Sequence, residues 1–169
     1  MLYYALYDYL PKRMLRRASF EQLELHRMIL DFKDGRRYAK IWAAKAMAAA
    51  LRCMDLRDVV IICVPASTSC SHTRRYKRFS QLLSCLTGAD DGFGYVSVSG
   101  KRQRRHIAGG DVGMMQHTCI STAIKGRKVL VIDDICTTCS SANEFIDGLR
   151  SAGADVRMAL FLAKTKRYG

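Results

Sequence analysis

Residues 128–141 (Lys-Val-Leu-Val-Ile-Asp-Asp-Ile-Cys-Thr-Thr-Cys-Ser-Ser) constrain the fold more than any other stretch of the chain. The run Val129 to Ile132 is apolar at every position and rich in β-branched residues, the pattern of a strand buried on both faces. Two carboxylates, Asp133 and Asp134, follow it directly. After Ile135 come six small hydroxyl or thiol residues, Cys136, Thr137, Thr138, Cys139, Ser140 and Ser141. A helical pattern then begins, with Ala142, Phe145, Ile146 and Leu149 on one face and Gly153 as its stop. A buried strand, a loop of small side chains and a helix N-terminus in succession form an anion site. The loop lets backbone N–H groups approach a phosphate, and the first helical turn leaves its own N–H groups unpaired and aimed at it. Carboxylates at the strand end suit a sugar diol or a hydrated Mg²⁺. The segment reads as a holder for a phosphorylated sugar.

Its neighbours predict the surrounding architecture. Ser19 with Gln22 three residues on opens a helix over 19–34, which ends at Asp34-Gly35. A second helix over 36–54 repeats Ala39, Trp42, Ala43, Ala46, Met47, Ala50 and Cys53 at helical spacing. Val59 to Val64 is a second buried strand, followed by the small residues Ala66 and Ser67. A helix over 73–86 carries Arg74 and Arg75 near its start, where cations oppose the helix dipole and a bound anion would favour them. Residues 93–98 alternate weakly, as a strand does. Residues 99–116 are irregular and contain Lys101, Arg102, Arg104 and Arg105. Val156 to Ala163 is a third buried strand. Strands alternating with helices predict an α/β fold, an open and mostly parallel Rossmann-like sheet with an N-terminal helical pair packed on it. One domain over 1–169 is expected, with an N-terminal helical segment at 1–57 and a ligand-binding core at 58–165.

The arrangement of apolar strand, Asp133-Asp134, two residues, Thr137-Thr138, a small residue and Ser140 resembles the phosphoribosyl-pyrophosphate (PRPP) signature of type I phosphoribosyltransferases. Leu30-Asp31-Phe32-Lys33-Asp34-Gly35, the strand ending at Val64-Pro65, and Lys77-Arg78-Phe79-Ser80-Gln81 resemble landmarks of the ComF-like (competence protein F-like) branch, here without its N-terminal zinc ribbon. Cys139 stands where the family has Gly, and Arg78 and Ser80 stand where it has Gly and Asn. The resemblance implies transfer of a phosphoribosyl group to a nitrogen acceptor with release of pyrophosphate, and Mg²⁺ as cofactor. It places Asp133 and Asp134 at the ribose hydroxyls as the catalytic pair and, indirectly, at the metal. It implies that residues 136–141 cradle the 5′-phosphate. Ala66 and Ser67 would approach the pyrophosphate with Arg74 or Arg75, and Lys101, Arg102, Arg104 and Arg105 lie in the region of the family's flexible loop. The acceptor is not encoded in any recognisable segment.

The formal charge of +13 asks for a polyanionic ligand, either a phosphorylated small molecule or nucleic acid, or simply for a solvated surface. A second reading is therefore a non-catalytic PRPP-fold protein acting in nucleic-acid handling or competence. Seven cysteines at irregular spacing do not form a secreted disulfide framework. Cys53, Cys63, Cys85 and Cys119 read as small core residues. Cys136-Thr-Thr-Cys139 at a helix start supports a third, thiol-redox reading. In its milder form, oxidation of the pair blocks the phosphate site by reshaping the helix end. The first ten residues do not read as a signal peptide, and Lys40, Lys45 and Arg52 interrupt the most apolar helix, so no membrane partner and a cytoplasmic location are expected. The oligomeric state is open, a homodimer included.

Overall fold

The apolar run at 128–136 lies at the centre of a five-stranded sheet. The computed structural model describes residues 2–99 and 114–165. In chain order these form β1 (Leu2–Tyr9), α1 (Phe20–Lys33), α2 (Arg37–Leu51), β2 (Val59–Cys63), α3 (Ser69–His72) and, after a π-turn at Thr73–Lys77, α4 (Arg78–Thr87). They continue with β3 (Asp90–Asp91), β4 (Val96–Val98), β5 (Thr118–Ile120), β6 (Lys128–Cys136), α5 (Ser140–Ser151) and β7 (Asp155–Thr165). The sheet order is β1-β7-β6-β2-β3, and every neighbouring pair is parallel. The strands β4 and β5 form a separate antiparallel pair.

Burial on both faces accounts for the uninterrupted apolar composition of the central strands. Leu130 and Ile132 of β6 and Ile61 of β2 face a core shared with Phe32, Met47, Tyr76 and Phe79 from the helices α1 to α4. The alternate residues, Val129 and Val131 with Val60 and Ile62, face Phe145, Ile146 and Leu149 of α5. The result is a three-layer α/β/α sandwich, in which the α/β class and the open parallel sheet are as expected. The Ser19–Gln22 capping box forms as its sequence spacing predicts, and Gly153 closes α5 at φ +87°.

Four expectations need correction. Leu2–Tyr9, inside the segment expected to be helical, is an edge strand paired with β7 from Leu2↔Met158 to Tyr9↔Thr165. Alternation is weak there because three successive residues, Leu2, Tyr3 and Tyr4, are exposed. The helix expected from residue 73 begins at Ser69, capped by the Thr68 side chain, so Arg74 and Arg75 lie beyond its first turn and do not oppose its dipole there. Residues 93–98 are a short 3-10 turn followed by a three-residue strand. Of the four cysteines read as core, only Cys63 is buried; Cys53, Cys85 and Cys119 are exposed. No helix among the described residues is long and apolar enough to cross a membrane.

Candidate functional site: a cleft at the sheet's switch point

From β2 the chain proceeds through α3 and α4 to β3 on one side of the sheet, whereas from β6 it proceeds through α5 to β7 on the other. The carboxyl ends of β2 and β6 are therefore where the winding direction reverses, which is where open parallel sheets leave a crevice. A cleft of about 270 Å³ lies there. Val64 to Ser67 line it from the β2 side, Asp133 to Ala142 from the β6 side, and Lys33, Arg75 and Tyr76 from the helical layer.

Asp133 and Asp134 are the last part of β6 rather than a loop following it, since the strand runs on to Cys136. Pairing with β2 stops at Cys63↔Ile132, while pairing with β7 continues through Asp133↔Phe161 and Ile135↔Ala163. The acids thus sit on a rigid strand whose β2-side neighbour has already turned away, and that departure opens the cleft beside them.

The two carboxylates have different surroundings. Asp134 is buried, accepting from Arg75 Nη1 at 2.6 Å and from the Ile135 N–H at 2.7 Å. Arg75 is itself fixed, because its Nε donates to the Lys33 carbonyl at 3.0 Å and its guanidinium lies 5.5 Å from the centre of the Tyr76 ring. Asp133 accepts at Oδ1 from the Tyr76 hydroxyl (3.2 Å) and from the Asp134 N–H (2.8 Å). Burial, with the adjacent Asp134 charge, pushes the Asp133 carboxyl up to about 8. Two neighbouring acids in one pocket cannot both ionise freely, and the guanidinium is bound to Asp134. Burial also pushes the Tyr76 phenol well above its usual range, so it remains a hydrogen-bond donor.

The loop 136–139 carries a disulfide between Cys136 and Cys139, with Cα atoms 5.0 Å apart. Cys139 lies in the left-handed region at φ 57° and forms the N-cap of α5, without a side-chain capping bond of its own. The Thr138 hydroxyl lies 2.8 Å from the Ser140 hydroxyl and accepts from the Ser140 N–H at 3.5 Å. The first helical bond of α5 runs from the Asn143 N–H to the Cys139 carbonyl at 2.8 Å. The cleft stays open beside the closed bridge, so disulfide formation does not by itself fill the site.

The sequence-predicted residues divide accordingly. Asp133, Asp134, Cys136 to Ser141, Ala66, Ser67 and Arg75 all line the cleft. Arg74 does not: it is exposed, and its carbonyl accepts from Lys40 Nζ on α2 at 3.1 Å. Arg75 is present but is bonded to Asp134 rather than turned free toward Ala66 and Ser67. Lys101, Arg102, Arg104 and Arg105 lie outside the described residues. Three contributors escaped the sequence reading. Lys33 closes the cleft from the end of α1, Tyr76 bonds to Asp133, and His72 orients the β2 loop. The His72 ring stacks on Phe93 with centroids 5.1 Å apart, and its Nδ1 accepts from the Ala66 N–H at 3.5 Å. Burial, with the Arg75 charge nearby, holds the imidazole down at about 4, so the ring is neutral at pH 7 and free to accept. Only Lys33 had a signal in the sequence, its place in the Asp31-Phe32-Lys33-Asp34-Gly35 run.

Among the described residues, no cluster of three or more metal-ligating side chains occurs. Of the two acids, Asp134 is paired with Arg75, and Asp133 is engaged at Oδ1 by Tyr76 and a backbone N–H.

No protein-family model matches the chain, and no curated protein matches it. Solved structures similar to it include an orotate phosphoribosyltransferase from Aeropyrum pernix, with a TM-score of 0.45 and 19% identity over 78% of this chain and 63% of that one. A hypothetical protein from Neisseria gonorrhoeae with bound ppGpp matches with a TM-score of 0.40 and 16% identity, over 79% of this chain and 74% of that one. A purine phosphoribosyltransferase from Pyrococcus horikoshii Ot3 matches with a TM-score of 0.38 and 18% identity, over 75% and 82%. The chain spans about 63% of the length of the Aeropyrum protein. Likenesses this distant carry no argument about the site, which rests on its own geometry.

Proposed function

We propose that the cleft binds PRPP and that the chain transfers its phosphoribosyl group to a nitrogen acceptor, releasing pyrophosphate. One observation carries the reading: the acids ending β6, the hydroxyl-lined N-terminus of α5 and the small residues after β2 all line one cleft at the switch point. A ribose 5-phosphate spans that set naturally. Its phosphate would meet the N–H groups and hydroxyls of 137–141, displacing the Thr138 hydroxyl from Ser140. Its ring hydroxyls would meet Asp133, and the pyrophosphate would extend toward Ala66, Ser67 and Lys33. Asp134 acts through Arg75 as a positioning residue that anchors the strand end, so the sugar contact falls to Asp133.

Displacement at the anomeric carbon develops positive charge on the sugar ring. The protein's contribution is then chiefly to hold donor and acceptor in line. Asp133 serves this as a neutral hydrogen-bonding group. A carboxyl pushed up to about 8 is largely protonated at pH 7, and it can pass a hydrogen bond to a ring hydroxyl while accepting from Tyr76. Mg²⁺ would enter this site together with the ligand, with Asp133 as the protein residue beside it. When bound, it would neutralise the pyrophosphate charge.

Calorimetric titration with PRPP plus Mg²⁺ tests the reading. Wild-type protein should bind, and Asp133→Ala should bind about tenfold more weakly, the size of one lost hydrogen bond. Absence of PRPP binding by the wild type, or an unchanged affinity in Asp133→Ala, would overturn it. Salt-sensitive affinity for nucleic acid that survives Asp133→Ala would instead support the binding-module reading.

A further inference from the structure

We infer that the Cys136–Cys139 bridge is a redox-controlled clamp on the phosphate loop: closed, it holds the loop in its receiving shape, and opened, it lets that shape relax. The inference rests on the proposed function for the identity of the ligand, but not for the loop itself. Its basis is the backbone. Cys139 is one of only two non-glycine residues with positive φ among the described residues. It caps α5 with no side-chain hydrogen bond to hold it there. L-residues with a Cβ avoid this conformation, and the exceptions are mostly Asn and Asp, whose short side chains bond locally. Cys139 has no such bond, but it has a covalent tie to Cys136, which is itself anchored. Cys136 ends β6 paired with Lys164, is 4% exposed, and packs in the same core as Ala142, Phe145 and Phe161. The bridge therefore ties a conformationally disfavoured position to an anchored one across only two residues, Thr137 and Thr138, both of which line the cleft. A glycine would occupy φ 57° without strain; here the disulfide takes over that task, and it can be undone.

The chemistry is thiol–disulfide exchange with an external dithiol. Cys139 is half-buried and Cys136 is buried, so the attacking thiolate forms a bond to Cys139 Sγ. The Cys136–Cys139 bond breaks and Cys136 leaves as a thiolate, which takes up a proton. The second thiol of the reductant then attacks the mixed disulfide, freeing Cys139 as a thiol. Two electrons pass from the dithiol, which becomes a disulfide, and oxidation is the reverse. Once free, Cys139 moves out of the left-handed region. The Cys139 carbonyl that accepts the first α5 bond shifts with it, and the N–H groups of 140–142 no longer converge. This reverses the expectation from sequence that oxidation blocks the site.

The test compares the same protein in both states, with the 136–139 bridge verified by mass spectrometry, because the exposed Cys53, Cys70, Cys85 and Cys119 also react. Two readouts separate the clamp from the ligand. The first is hydrogen exchange at the Asn143 amide, which bonds to the Cys139 carbonyl. Reduction should speed it about tenfold, the factor that corresponds to losing a restraint of the size of left-handed strain. The second is calorimetric titration with PRPP plus Mg²⁺, where reduction should weaken binding about tenfold. Cys136→Ser/Cys139→Ser should resemble the reduced form in both readouts and be indifferent to redox state. Equal Asn143 exchange in the two verified states overturns the clamp, as does tighter PRPP binding after reduction. If exchange responds but no form binds PRPP, the clamp stands and the ligand assignment fails.

Discussion

Arg75 decides how the acid pair behaves. Its guanidinium neutralises buried Asp134, so removing it leaves a carboxylate inside the protein without a counter-charge. Truncating one member of such a pair costs far more than the pair itself contributes, because the remaining charge has no solvent to return to. Arg75→Ala should therefore destabilise the fold by about 3 kcal/mol in urea denaturation. Adding Asp134→Asn should recover part of that loss. If the single variant is as stable as the wild type, the ion pair is not what secures the strand end. Gly35 matters at the same scale. At φ +73° it turns the chain out of α1, and a Cβ there would meet Arg74 backbone oxygen and Cγ at 2.8 Å. Its lack of a side chain lets the end of α1, with the Lys33 carbonyl, reach Arg75. The sequence showed Asp34-Gly35 only as a helix stop, and the close approach became visible only once α1 met the segment carrying Arg74.

Among the elements, β1 is the one the sequence concealed. It contributes packing as well as pairing, because Tyr7 stacks on Trp42 of α2 at 5.6 Å and Tyr9 on His26 of α1 at 4.9 Å. These contacts fasten the α1–α2 pair to the β1–β7 edge, and α1 in turn supplies Lys33 to the cleft. Tyr7→Ala should cost about 2 kcal/mol, somewhat below the range for a fully buried aromatic residue, since Tyr7 is half-buried. A double-mutant cycle with Trp42→Ala should show coupling of about 1 kcal/mol between the rings. Additive losses would mean that the stacking contributes nothing beyond area. Element β6, by contrast, was legible at once. Four apolar residues followed by acids and hydroxyls leave little choice but a buried strand ending at a polar edge.

For the whole molecule, Asp133 and His72 set opposite slopes of stability with pH. The folded protein keeps the Asp133 proton up to about 8, whereas an unfolded chain releases it near 4, as an ordinary Asp does. Between these values the unfolded state binds fewer protons, so this contribution to stability falls as pH rises. His72 works the other way. Its folded value is about 4 against 6.5 unfolded, so its contribution is lost as pH falls through that range. The two oppose each other between about 4 and 6.5, and from about 6.5 to 8 Asp133 acts without His72. Thermal melts across pH 6.5 to 8 should show a decline in stability that Asp133→Asn removes, since Asn mimics the protonated acid. An equal slope in both proteins would place the Asp133 carboxyl in its ordinary range and remove its protonated role.

Read alone, the sequence determined the α/β class, the central strands and the helix that starts after the small residues at 136–139. These follow from local rules: a strand buried on both faces must be apolar throughout, and a helix start after small residues exposes N–H groups. The tertiary structure decided which acid is free to meet a ligand. Asp133 and Asp134 are adjacent and chemically identical in sequence, and they differ only because Arg75, 59 residues earlier, comes to rest against Asp134. The same holds for the His72 bond to the β2 loop and for β1 at the sheet edge. Each depends on where crossovers carry distant segments, and burial and charge pairing act only after that approach has been made.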